Sequence, residues 1–513
     1  MINLTSDQVL NPIVFAEKVN RQYLRYRFSR LPLKDERLRE QSEKLVGKPD
    51  RSIFIKGPYV TLSRPLRKGK TIEELCREGI FHHDLCDRSI AEFTSLFEHQ
   101  ERAARAIKNG KNLIISTSTG SGKTEAFLYP IISRCLELRD DGKLKGVVAV
   151  LIYPMNALAN DQNERLRRIL VGTGITFGTY TGATPETKND AERVFHRLPP
   201  GLDRNSYLKA LEKMEKESRI VIPYEERASV EEMRDSPPNI LITNMKQLEL
   251  ILTRGEDIEI FVDNSLSFIV VDEAHTFTGL KGSEVAMLVR RLREFAGKKP
   301  TEIAHIGTSA TIVDPEGNSE EAARKFGSRF FGIDPDSIQL IAEEYEERGA
   351  VEIEYYPQPI DDANEKFEPM VAALERDDRS IVIKELEKIL NTRLEPKDDP
   401  ALIYNTLRKV NIIQALDKIL QDPLHLEDLA KKTWKELGRQ EPSGKELEAA
   451  KSEILLWLAL GAATEYEGER LFRPKLHYFV RGPEGAIIYF DKVDGEWMPI
   501  LVESRREATK KIQ

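Results

Sequence analysis

Cysteine is scarce: Cys76, Cys86 and Cys135 are the only three in 513 residues. Three thiols make neither a disulfide framework nor a four-ligand zinc site. His82 and His83 beside Cys86 lack the paired Cys-x-x-Cys spacing that a zinc site would need. Long uninterrupted apolar runs are missing too, so no membrane-spanning helix is expected. The opening Met1-Ile2-Asn3-Leu4-Thr5-Ser6-Asp7 lacks a basic segment followed by an apolar one, so no secretory leader is expected. Repeats and low-complexity tracts are absent, which excludes collagen-like and disordered chains. The expectation is a multidomain protein of the cytoplasm.

What the chain has in quantity is charge. Asp, Glu, Lys and Arg make up 32% of it, with a net charge of −8. That average argues against nucleic acid but hides an asymmetry. The stretch 1–70 holds 16 Lys and Arg against 7 Asp and Glu, a balance of +9 that leaves −17 for the remainder. A local basic surface attracts phosphates even on an acidic protein. Within it, the run from Arg21 to Arg30 interleaves tyrosine and phenylalanine with arginine. Such a run can stack on and neutralise a nucleic-acid strand, or it can form an amphipathic helix with its aromatics in the core.

Four segments follow from texture: a mixed, mostly helical region 1–95, a strand–helix alternation 96–315, a Leu/Lys/Glu-rich helical region 316–470, and a β-hairpin-like tail 471–513. In the second segment short apolar runs at 112–117, 147–153, 240–243, 268–272 and 303–308 alternate with helical patterns at 123–138 and 157–170. That pattern predicts an α/β fold, a parallel sheet covered by helices on both faces. A charged stretch, 186–236, interrupts it. In the third segment, 423–430 resembles the start of a helical or winged-helix module, and 445–463 is predicted as a long helix. The tail alternates over 477–501, with turns expected at Pro483-Glu484-Gly485 and Val493-Asp494-Gly495.

Chemistry concentrates in the second segment. Thr117-Ser118-Thr119-Gly120-Ser121-Gly122-Lys123-Thr124 stands between a strand and a helix. Glycines let backbone N–H groups of Thr119 to Thr124 wrap a phosphate, and the helix start adds a positive dipole end. Lys123 is expected to reach the β- and γ-phosphates of ATP, and the Thr124 hydroxyl to bind Mg²⁺. The strict P-loop pattern wants glycine where Thr117 stands. Further on, Phe268 to Val271 is an apolar run that delivers Asp272-Glu273-Ala274-His275 to the strand end where ligands of open α/β sheets sit. Asp272 is expected to hold Mg²⁺ through water, and Glu273 to orient and deprotonate an attacking water.

These motifs, with Thr308-Ser309-Ala310-Thr311 behind them, resemble a superfamily 2 DExH-type helicase. The resemblance implies a RecA-like P-loop NTPase lobe in which His275, Ser309 and Thr311 couple nucleotide state to the grip on nucleic acid. Gln100 precedes Thr117 at the family's spacing for an adenine-reading glutamine; one amide can bond adenine N6 and N7 together. Pro154 and Asn156, Thr181 and Gly182, and Thr243 and Asn244 match the family's motifs for the phosphodiester backbone. Lys56-Gly57-Pro58-Tyr59, His275 to Gly279 and Leu476 to Gly482 are similar to stretches of very large prokaryotic helicases of antiviral systems such as Druantia and DISARM. DNA is therefore the favoured partner, with other defence-system subunits behind it.

One departure qualifies the match. Such motors need a second RecA-like lobe bearing Gln-x-x-Gly-Arg-x-Gly-Arg, whose arginines stabilise the transferring phosphoryl group. No stretch of the 513 residues matches it, and Gly438-Arg439-Gln440 lies in a Lys/Glu-rich helical pattern. The expectation is a first motor lobe, from a split subunit or a truncation, that hydrolyses ATP slowly until a second lobe joins it. The alternatives are a non-catalytic nucleic-acid-binding scaffold and a fragment of a DNA-repair helicase.

Overall fold

In the computed structural model the apolar runs become the strands of one eight-stranded parallel sheet: β1 (Asn112–Ser116), β2 (Ala149–Tyr153), β3 (Phe177–Tyr180), β4 (Glu226–Arg227), β5 (Ile240–Asn244), β6 (Phe268–Val271), β7 (Ala304–Ser309) and β8 (Ile338–Ala342). The structure describes residues 12–29, 34–46, 55–87, 90–118, 120–214, 220–309, 319–346, 351–376, 378–480, 487–493, 495–502 and 509. The strand order is β8-β1-β7-β6-β2-β5-β3-β4. Every residue of β2 and β6 is buried, as a sheet covered on both faces requires. Each buried Ile, Val or Leu there contributes about 1.5–3 kcal/mol over an exposed position.

The helices α1 (Glu98–Lys108), α2 (Lys123–Asp140), α3 (Asn156–Leu170), α4 (Met245–Ile251), α5 (Gly279–Phe295) and α6 (Ser319–Phe331) connect or cover these strands. One core holds Leu113, Phe127, Ile132, Leu151, Val270 and Ile306, and another Val150, Ile269, Leu288, Leu292 and Phe331. The 186–236 stretch forms short helices and strands of its own, and β4 within it extends the sheet beside β3.

The chain divides after Arg64 and after Glu346, not at 95, 315 and 470 as texture suggested. Residues 65–346 form one compact unit, because β8 pairs with β1 although most of the unit's sequence lies between them. Residues 1–64 and 347–513 form the other. In that second unit strand Ile55–Leu62 lies between Leu424–His425 and Pro474–Val480, both antiparallel to it. Leu416, Leu429, Ile454, Trp457 and Phe472 pack its helical core, and the long helix Lys445–Ala463 appears where predicted. Its buried Glu453 is paired with Arg439.

The tail differs in part. Pro474–Val480 pairs with the N-terminal strand, and the hairpin is built by Ile487–Val493 and Glu496–Val502. The turn at Pro483-Glu484-Gly485 and Asp494 lie outside the described residues. In the helix Pro12–Ser29, Tyr23 and Tyr26 are exposed together with Arg21 and Arg25, so these two aromatics do not face a core. Among the described residues no helix is long and apolar enough to cross a membrane.

Candidate nucleotide site and strand-end loops

The phosphate loop leaves β1 at Ser116 and enters α2 at Lys123. Gly120 (φ 83°) and Gly122 (φ 81°) adopt left-handed backbone that other residues enter at a cost. Gly122 is further constrained because a Cβ there would collide with the Gln100 amide. Thr117 N–H donates to the Ser309 carbonyl (3.2 Å), and the Ser121 hydroxyl donates to Thr117 Oγ1 (2.7 Å). Gln100, 4% exposed, donates from Nε2 to the Gly122 carbonyl (2.8 Å) and accepts the Phe97 N–H at Oε1 (2.8 Å). Its amide thus ties the loop to the start of α1. Thr119 lies outside the described residues.

The acidic motif faces this loop. β6 ends at Val271, and Asp272 N–H continues the sheet bonding to the Ile152 carbonyl (2.9 Å). Glu273 then turns left-handed (φ 49°), a conformation that is costly for a side-chain-bearing residue and aims its carboxylate back at the loop. Lys123 Nζ lies 3.4 Å from Glu273 Oε1, and His275 Nδ1 3.3 Å from Glu273 Oε2. Thr308, one residue before the expected coupling pair, holds the Asp272 carboxylate and the Glu273 backbone. Its hydroxyl donates to Asp272 and accepts the Glu273 N–H (3.0 Å). Burial pushes the Asp272 carboxyl above its ordinary range, and the neighbouring Glu273 charge adds to that; Thr308 and Lys123 act against it. Ser309 is buried at the end of β7, while Thr311 lies outside the described residues.

The remaining predicted residues cluster at the ends of three adjacent strands, β2, β5 and β3. Asn244 Nδ2 donates to Asn156 Oδ1 (2.7 Å), and Asn244 Oδ1 caps α4 by accepting the Gln247 N–H (2.8 Å). Asn156 and Gly182 are exposed, Pro154 and Asn244 half-buried. Thr243 and Thr181 are different: both are buried, and Thr243 donates to the Tyr180 carbonyl (2.8 Å) while Thr181 O accepts the Thr184 N–H. Both bonds hold these loops in place. Sequence reasoning gives Thr308 no role; a β-branched hydroxyl directly before the Ser-Ala-Thr run is the available signal.

A model of the DEAD/DEAH box helicases matches residues 97–199 and 204–317, so this region is similar to a DEAD/DEAH box helicase domain. The chain is similar to the Druantia protein DruE of Escherichia coli (strain UMEA 4076-1), at 28% identity over 354 residues, 55% of this chain and 18% of that protein. It is also similar to the uncharacterized ATP-dependent helicase YprA of Bacillus subtilis (strain 168), at 25% identity over 233 residues, 45% of this chain and 25% of that one. The chain spans about a fifth to a quarter of the length of these relatives. A solved structure of the DUF1998 helicase MrfA bound to DNA covers 60% of this chain and 34% of its own at 21% identity, with a TM-score of 0.38. That likeness is too low to bear on function.

Proposed function

We propose that residues 65–346 are the first motor lobe of a superfamily 2 DNA helicase or translocase, and that full ATP hydrolysis requires a second RecA-like lobe. The observation that carries this reading is the meeting of Lys123, Asp272, Glu273 and Thr308 at one glycine-built loop. The donor set fits ATP with Mg²⁺. Backbone N–H groups and Lys123 suit phosphate oxygens, and a buried carboxyl with a raised pKa beside a second carboxylate gains from a divalent cation. Thr124 and Asp272 would hold that cation, which supplies charge neutralisation at the phosphates. Gln100 reads adenine with the amide hydrogen and lone pair left over from its loop bonds.

The chain's own residues then act in sequence. Lys123 exchanges its Glu273 partner for phosphate oxygens, which frees the carboxylate. Glu273, held by its left-handed backbone and flanked by His275, orients a water and takes its proton as the water attacks. Loop movement reaches the strand-end residues Pro154, Asn156, Gly182 and Asn244 through Ser309 and Thr311. An exposed amide and backbone N–H groups at strand ends suit a sequence-independent backbone grip. DNA rests on the resemblance of the sequence motifs to the large prokaryotic helicases, and a role in a defence system of the Druantia kind on the likeness to DruE.

The test is ATP turnover with single-stranded DNA, for this chain alone and joined to a second lobe. Slow turnover alone, acceleration with the second lobe, and loss of at least about 100-fold in a Glu273→Gln variant are expected. Turnover at ordinary helicase rates by the chain alone refutes the two-lobe requirement. An assembly that moves on DNA unchanged with Glu273→Gln makes the chain a scaffold.

A further inference from the structure

One carboxylate at the phosphate loop has no part in that reaction. β8 ends at Ala342 beside β1, and Glu343 directly after it turns onto the loop. Ser118 donates both its backbone N–H (3.1 Å) and its hydroxyl (2.9 Å) to Glu343 Oε2. The Tyr345 hydroxyl donates to Oε1 and orients the carboxylate. The loop is therefore suspended at two points: Gln100 holds its downstream end at the Gly122 carbonyl, and Glu343 its upstream end at Ser118.

Both holders belong to one bonded assembly. Glu344 reaches away from the loop to Arg67 (2.9 Å) and to Arg102 on α1, the helix that carries Gln100. Arg67 N–H donates to the Glu344 carbonyl (2.8 Å), Leu66 pairs with Tyr345, and Glu98 N–H donates to the Arg67 carbonyl (2.9 Å). A two-glycine loop left to itself samples many backbone states, and binding phosphate must then freeze it. Two hydrogen bonds to a charged acceptor at the upstream end remove much of that freedom beforehand.

We propose that Glu343 is a positioning residue of the phosphate loop: it fixes Ser118 so that the downstream N–H groups are set before nucleotide arrives. The proposal rests on the ATP-site reading above. It is tested on the full chain with Glu343→Ala, Glu343→Gln and Tyr345→Phe, through Mg-ADP affinity by calorimetry and hydrogen exchange at the Ser118 amide without nucleotide. Glu343→Ala removes both Ser118 bonds and is expected to weaken Mg-ADP about tenfold; exchange at the Ser118 amide, which loses one charge-assisted bond, should speed about tenfold. Glutamine keeps an acceptor oxygen of the same reach and restores most of both. Tyr345→Phe, nearly isosteric, loosens the carboxylate and moves both readouts about threefold, so it carries the test if the alanine variant does not fold. Unchanged Ser118 exchange in both Glu343→Ala and Tyr345→Phe overturns the proposal, as does a glutamine variant as impaired as alanine. If the unaltered chain binds no Mg-ADP, the ATP-site reading falls, and the exchange data still decide the role of Glu343.

Discussion

The two halves of the sheet's C-terminal edge are built on opposite terms. At β1, β6 and β7 the polar groups are already engaged by other protein groups: Lys123 with Glu273, Asp272 with Thr308, Gln100 with Gly122. At β2, β5 and β3 the supporting threonines are buried, while Asn156 and Gly182 stand exposed, beside Met155 at 62% exposure. The first half holds its charges in readiness against one another, as suits a small ligand that must displace protein partners. The second keeps its threonines inside and leaves a side-chain amide and a glycine backbone exposed, as the proposed grip on a strand needs.

Removing Lys123 breaks the comparison hardest. Lys123→Ala is expected to weaken ATP binding by at least about 100-fold, as loss of a half-buried charge at the phosphates implies. Binding of single-stranded DNA without nucleotide should stay within about twofold. Calorimetry with ATP and fluorescence anisotropy with an oligonucleotide check the pair, and parallel losses would mean the halves are not separate.

Acid acts next, through a strand of the first half. His305, in β7, has its ring nitrogens 3.0 Å from Asn112 Oδ1 and 3.1 Å from Arg293 Nη1, and burial holds its pKa down at about 3 from the ordinary 6.5. The unfolded chain takes up that proton below pH 6.5 and the folded chain does not. The stability this group contributes is complete above pH 6.5 and is lost as pH falls toward 3. Between pH 6.5 and about pH 4 the loss is about 3 kcal/mol, at about 1.36 kcal/mol per unit. Denaturant unfolding at the two pH values should show a His305→Gln variant losing correspondingly less than the wild type.

The smallest effect is expected at the open half. Asn156→Ala with Asn244→Ala removes the amide pair at the strand ends, and with it the α4 cap; it should weaken single-stranded DNA binding about three- to tenfold, leaving ATP affinity unchanged. Anisotropy titrations at fixed salt measure it. Equal binding by the double variant would move the grip away from these loops.

The same asymmetry governed what could be read in advance. Lys123, Asp272 and Glu273 were legible because a phosphate loop and an acidic strand end need fixed residue types at fixed spacing. The strands carrying them are short runs of Ile, Val and Leu with only one burial pattern open to them. The inward turn of Thr243 was not legible, since a threonine at a strand end reads the same whether its hydroxyl meets solvent or the Tyr180 carbonyl. Glu343 and Ser118 lie 225 positions apart, and no local period announces that their strands are neighbours. The pairing of Pro474–Val480 with Ile55–Leu62 escaped for the same reason: its alternation fitted a hairpin equally well.

The bridge between Leu66 and Tyr345, with the Glu346 N–H donating to the Pro65 carbonyl at 2.9 Å, brings the first and last residues of the 65–346 unit side by side. A piece whose ends touch is topologically a closed ring with a cut in it, and the cut can be moved. Joining residue 346 to residue 65 through a few glycines and opening the chain at an exposed loop would give a circular permutant with the same sheet. Seen so, residues 65–346 are an insertion in the sequence of the other unit.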